Sequence, residues 1–139
     1  MKVMEAMHKG AEWVSPDTPV QDIAAKMRDY DIGAIPIGEN DRLIGMVTDR
    51  DIVCRGVADT SSTKKLKARD VMTKGISWCR ADDALTDAVH LMEEKKIRRL
   101  PVIDDDKRLV GMLSLGDVSQ AADAELADEV LRAVAGHHV

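Results

Sequence analysis

A hydroxyl residue followed three positions later by an aspartate occurs twice in matching settings, Gly45-Met46-Val47-Thr48-Asp49-Arg50-Asp51 and Gly111-Met112-Leu113-Ser114-Leu115-Gly116-Asp117. Each reads as the end of a strand entering a helix. Thr48 or Ser114 would then stand beside unpaired backbone N–H groups and the positive end of a helix dipole, a place for a phosphate. An ionised carboxylate only accepts hydrogen bonds and has two oxygens for the purpose, so Asp51 or Asp117, one turn in, suits two adjacent ribose hydroxyls. Gly45 and Gly111 permit close backbone approach within the strand. The same residues also fit a near-capping box, which satisfies orphan helix donors and contributes about 1 kcal/mol. For one motif the cap is the better reading; two in one chain favour a ligand in at least one of them.

The copies differ in charge. Ile97-Arg98-Arg99-Leu100 precedes Pro101, whereas Ile32-Gly33-Ala34-Ile35 precedes Pro36. Arginine is the residue of multidentate phosphate recognition, so one site is expected to be cationic and the other neutral. The alternative pairs Arg98 and Arg99 with Glu93, Glu94 or the aspartates at 104–106 on a solvated face. Arg50 and Arg55 suit a solvent-facing helix or a phosphate tail equally. Cys54 and Cys79 form no CxxC, and His8, His90, His137 and His138 are scattered, so neither a zinc site nor a redox motif is expected. No Ser-His-Asp set and no P-loop occur, and Asp49/Asp51 and residues 104–106 are explained by capping and a polar turn. The expectation is no catalytic residue, no metal and no enzyme.

The chain has 139 residues, 45% hydrophobic and 32% charged, with a net charge of -5. This describes one globular domain or two small halves sharing a core. The acidic balance argues against a nucleic-acid surface, and with no Phe, one Tyr (Tyr30) and two Trp (Trp13, Trp78) there is no aromatic stacking platform. MKVMEAMHKG is not a signal peptide and no stretch is long and apolar enough for a membrane span, so a cytoplasmic location is expected.

Met7 to Trp13 (MHKGAEW) matches Met72 to Trp78 (MTKGISW), and the register holds through Asp17/Asp82, Met27/Met92, Ile32/Ile97 and Pro36/Pro101. One residue added between ENDR and DDDKR shifts it for Gly45/Gly111 and Asp51/Asp117. The chain is therefore a duplication. Trp13-Val14 and Ile76 to Cys79 are short β candidates. Val20, Ile23, Ala24 and Met27, matched by Leu85, Ala88, Val89 and Met92, recur at i, i+3, i+4 and i+7, the spacing of an amphipathic helix. Thr18 with Pro19 and Gln21, and Asp83 in the second copy, are expected to cap these helices. Residues 34–37 with 43–47, and 100–103 with 109–113, read as hairpins, followed by helices capped by Thr48 and Ser114. The last helix is expected to run on through Ala127, Val130, Leu131 and Val134. The expected organisation is repeat one at 1–58, a linker at 59–67, repeat two at 68–123 and a C-terminal helix and tail at 124–139. The fold class is α+β, α/β sandwich-like, with two strand-helix-strand-strand-helix repeats in pseudo-twofold relation.

These residues resemble tandem CBS domains, or a Bateman module, of the stand-alone bacterial type. The likeness rests on the two Gly-x-x-Thr/Ser-x-x-Asp motifs and the two hydrophobic-Pro-hydrophobic strands, Ile35-Pro36-Ile37 and Leu100-Pro101-Val102. It implies regulatory binding of AMP, ADP or ATP, less readily S-adenosylmethionine or NADH, in clefts between the repeats, with no required cofactor. Such a cleft often joins the aspartate of one repeat to the pre-proline residues of the other. On that pattern, Thr48, Asp51 and Arg50 pair with Arg98 and Arg99 in a phosphate-accepting cleft, and Ser114 and Asp117 pair with Gly33 and Ala34 in a second cleft for a less charged group or none. With aromatics scarce, Ile32, Ile35 and Ile97 are the candidates to contact adenine. The resemblance also implies a homodimer through the helices and an effector protein of unknown identity. The alternative is a ligand-free dimerising scaffold with vestigial clefts, its docking surface the apolar stripe of the C-terminal segment.

Overall fold

A computed structural model describes residues 1–10, 13–59 and 63–135, with backbone only for Thr63; linker residues 60–62 and the tail histidines His137 and His138 lie outside them. In chain order the elements begin with α1 (Val3–Ala6), β1 (His8–Lys9), α2 (Val20–Tyr30), β2 (Ala34–Glu39) and β3 (Arg42–Thr48). A turn of α-helix, α3 (Asp49–Asp51), continues as a π-helical segment at Ile52–Val57. Then come α4 (Ala68–Val71), β4 (Thr73–Lys74), β5 (Cys79–Arg80), α5 (Leu85–Lys95), β6 (Arg99–Ile103), β7 (Leu109–Ser114), α6 (Leu115–Ala121) and α7 (Ala124–Ala135).

The chain divides into two compact units that do not follow the order of the repeats. One comprises Met1–Ala11 with Ser77–Val139, the other Glu12–Ile76. Each unit is the body of one repeat completed by the short helix and strand that open the other. In the first unit the sheet order is β1-β7-β6-β5, with β5 parallel to β6 and the other pairs antiparallel. In the second it is β2-β3-β4, and Val14 bridges Ile37 in the parallel sense.

These opening segments, here called hooks, have a shared chemistry. The Lys2 N–H donates to Glu5 Oε2 at 2.6 Å, and the Lys67 N–H to Asp70 Oδ2 at 2.8 Å, closing the first turns of α1 and α4. Val3, Ala68 and Val71 are fully buried. Burying an aliphatic side chain contributes about 1.5 to 3 kcal/mol, enough to anchor a helix far too short to persist by itself. Next to each hook strand lies a motif glycine. A Cβ on Gly45 would come within 2.8 Å of the Thr73 carbonyl oxygen, and one on Gly111 within 2.5 Å of that of His8. The close backbone approach anticipated at these glycines is thus made by the hooks.

The hooks also correct the expected caps. The N-caps of α2 and α5 are Pro19 and Ala84, one residue after Thr18 and Asp83, and neither has a side-chain cap bond. The Val20 N–H donates instead to the Leu66 carbonyl and the Leu85 N–H to that of Met1, both at 2.9 Å. Main chain from a hook satisfies a first-turn donor, so no side chain is needed there. Asp83 turns to the Arg80 N–H, at 2.9 Å.

Ile23, Ile37, Val47 and Val71 centre one core, and Val3, Val89, Met92, Leu100, Leu113 and Val118 the other. The C-terminal helix is not continuous with α6. Ala122 is extended, and Asp123 Oδ1 accepts from the Leu126 N–H at 2.8 Å as α7 begins. Val130 and Val134 of α7 are buried in its own unit's core, so most of the stripe expected to dock another chain is already covered; Leu131 is 49% exposed.

Candidate functional site

In the second unit, antiparallel register sets Ala34 opposite Thr48, and the Asp49 N–H donates to the Gly33 carbonyl at 3.0 Å. Thr48 Oγ1 accepts from the Asp51 N–H at 3.1 Å while Asp51 Oδ2 accepts from the Thr48 N–H at 3.0 Å, a closed capping box. Among the described residues, the other oxygen, Oδ1, has only long-range company: the Thr73 hydroxyl at 3.4 Å and Arg55 Nη1 at 3.7 Å. At such distances little hydrogen-bond energy is left, so Oδ1 retains accepting capacity. Arg55 is committed elsewhere. Its Nη1 donates to the carbonyls of Val71 at 3.2 Å and Met72 at 3.1 Å and to Thr73 Oγ1 at 3.0 Å, fastening the C-terminal end of α4. Arg50 is exposed and its guanidinium has no partner among the described residues.

In the first unit, Ser114 Oγ accepts from the Asp117 N–H at 3.0 Å and Asp117 Oδ2 from the Ser114 N–H at 2.9 Å, repeating the box. The Leu115 N–H donates to the Arg98 carbonyl at 2.8 Å, and Arg99 lies opposite Ser114, their side chains on one sheet face. Asp117 is only 6% exposed, and its Oδ1 is 2.6 Å from His8 Nδ1. His8 and Thr73 occupy matching hook positions, and each reaches the aspartate of its unit's motif. The alignment of MHKG with MTKG held that signal, but nothing local linked either residue to an aspartate in the other repeat.

The structure therefore places Arg98 and Arg99 in the unit of Ser114 and Asp117, and Gly33 and Ala34 in that of Thr48 and Asp51. Neither guanidinium has a hydrogen bond or ion pair among the described residues. The alternative partners are occupied differently: Asp105 faces Arg80 at 3.4 Å, and Asp104 Oδ1 accepts the Asp106 and Arg108 N–H groups within its turn. Both arginines remain available to an anion.

Of the adenine candidates, Ile32 is 44% exposed, Ile35 is buried in the core of the second unit, and Ile97 is half-buried against the core of its own unit, the first. The Trp13 ring packs on the bare Cα of Gly38, whereas Trp78 is 42% exposed.

One grouping was not anticipated. His90 and Glu93 on α5 and Glu129 on α7 bring their ligand atoms within 4.8 Å of one another. Glu93 Oε1 is buried without a partner among the described residues. Burial and then the neighbouring Glu129 carboxylate push the Glu93 carboxyl up, with His90 opposing. Cys79 is buried and its thiol is pushed up to about 12, chiefly by desolvation; Cys54 is exposed.

No helix among the described residues is long and apolar enough to cross a membrane. The family model for the CBS domain matches residues 3–55 and 68–124. An uncharacterised protein of Methanopyrus kandleri is 37% identical over 107 residues, 76% of this chain, which spans about half (55%) of that protein. Hypoxic response protein 1 of Mycobacterium tuberculosis is 36% identical over 84% of this chain and 81% of its own. A crystal structure of Hypoxic Response Protein I with two coordinated zinc ions superposes with a TM-score of 0.79, at 34% identity, over 88% of this chain and all of that one (100%). CBSX2 in complex with AMP gives a TM-score of 0.75 at 31% identity, over 87% of this chain and 95% of that one.

Proposed function

We propose, from the premise that this chain belongs to the CBS-domain family and carries the domain twice, that it is a regulatory module for an adenosine-containing ligand. AMP, ADP or ATP fits the residues best. Binding shifts the balance between conformations, and an effector protein reads the shift. The observation that carries this reading is Asp51: its Oδ2 closes the capping box while Oδ1 keeps accepting capacity for ribose hydroxyls. Arg98 and Arg99 of the first unit, without partners among the described residues, are groups able to accept a phosphate, and Ile32 of the second unit is an exposed aliphatic surface able to meet adenine. The AMP carried by the CBSX2 neighbour supports the ligand class. A ligand-free scaffold is the weaker reading, because Val130 and Val134 are packed inside their own unit.

Calorimetric titration with AMP tests it. Asp51→Asn keeps an amide oxygen for the Thr48 N–H but loses the charge that holds a diol, so AMP affinity falls tenfold or more while stability changes by less than about 1 kcal/mol. Arg99→Ala weakens AMP but leaves adenosine unaffected. Unchanged AMP binding by Asp51→Asn would return the motif to capping alone.

A further inference from the structure

The two motif aspartates are not equally open. Asp51 and Asp117 each give one oxygen to the backbone N–H of the preceding Thr48 or Ser114, so each has one oxygen left. For Asp51 that oxygen has, among the described residues, only the weakly placed Thr73 hydroxyl and Arg55. For Asp117 that oxygen is covered by the His8 imidazole, whose Nδ1 lies 2.6 Å away as an ion-pair contact. Both oxygens of Asp117 are then engaged at short range.

We propose that His8 is a latch on the second motif: it occupies the Asp117 oxygen a ribose diol would need, and so restricts this chain to one nucleotide, held through Asp51. This rests on the nucleotide reading above and goes beyond it, by giving the site count and the residue that sets it. A diol arriving at Asp117 must displace the imidazole, because an atom 2.6 Å from Oδ1 leaves no room for a hydroxyl on that side. The latch can yield, because the His8 side chain is 78% exposed and joined to this unit through the backbone pairing of β1 with β7. An exposed partner limits the penalty to roughly three- to tenfold in affinity.

The repeat supplies its own control, since Thr73 stands where His8 stands. His8→Thr leaves the β1 main chain in register and gives Asp117 the environment of Asp51. The reciprocal Thr73→His latches Asp51. Titration of the wild-type full chain and both variants with AMP, each checked for wild-type melting, reads the count. The expected result is one site per chain in the wild type, and in His8→Thr a second site that Asp117→Asn removes. Thr73→His weakens the original site by about three- to tenfold. Two equal sites in the wild type, or no change of affinity or count in His8→Thr, would overturn the latch and leave the nucleotide reading standing. No AMP binding by any of the three proteins would overturn both.

Discussion

The carbonyl oxygen of His8 lies 2.5 Å from where a Cβ on Gly111 would stand, and that of Thr73 lies 2.8 Å from the same point on Gly45. These glycines are therefore the seats of two edge strands, and each seat receives a hook from the other repeat. A side chain there would push apart the facing residues Lys9 and Gly111, and Lys74 and Gly45.

Gly111→Ala and Gly45→Ala should each destabilise the fold by about 1 to 3 kcal/mol, because the obstructing atom is backbone and cannot rotate away. The second Gly of the α6 entrance, Gly116, is the control: a Cβ there meets nothing nearer than Ser114 Oγ at 3.6 Å. Urea unfolding of the three variants checks this, with Gly116→Ala expected to sit near the wild type or above it.

Glu93 gives a pH signature of opposite sense to an ordinary salt-bridged acid. Burial and Glu129 raise its carboxyl above the ordinary value of 4.5, so the folded chain holds the proton more tightly than the unfolded one. Its favourable contribution is complete below about pH 4.5 and is lost as pH rises through the raised value. Glu93→Gln, which stays neutral, should gain stability relative to wild type between pH 4 and pH 7, by less than about 1 kcal/mol given the solvent around Glu129 and His90. Paired melting curves at the two pH values test the sign; a gain at pH 4 that vanishes at pH 7 would contradict it.

The two cysteines should separate cleanly by reactivity. With its thiol pushed up to about 12 in the core, Cys79 carries roughly one thiolate in ten thousand at pH 8. Cys54 is exposed. A thiol reagent should modify one cysteine per native chain within minutes and the second only on unfolding, and mass mapping should place the first label on Cys54.

The repeat, both amphipathic helices, both hairpins and the two hydroxyl-to-aspartate caps were legible in the sequence, because each is local and periodic. Thr48 and Ser114 cap as their spacing predicts. What escaped was non-local. The hooks at Val3–Ala6 and Ala68–Val71 are single turns, too short to show a period, and their exchange between units leaves no local trace. Thr18 and Asp83 lost their expected capping roles to main-chain carbonyls supplied by those hooks. The His8–Asp117 contact joins opposite ends of the chain, and the aligned positions of His8 and Thr73 were its one outward sign. Periodicity did find the apolar stripe of α7, but it cannot say whether such a stripe meets its own core or another chain.

The most direct test of the nucleotide reading is the melting temperature of the purified chain against AMP, ADP, ATP, S-adenosylmethionine, NADH and inorganic phosphate. A ligand present at a hundred times its dissociation constant stabilises the folded state by about 2.7 kcal/mol, several degrees for a chain of this size. The account predicts an upward shift with at least one adenosine ligand, none with phosphate alone, and a shift cut to about half or less in Asp51→Asn. No shift with any of the six would contradict it.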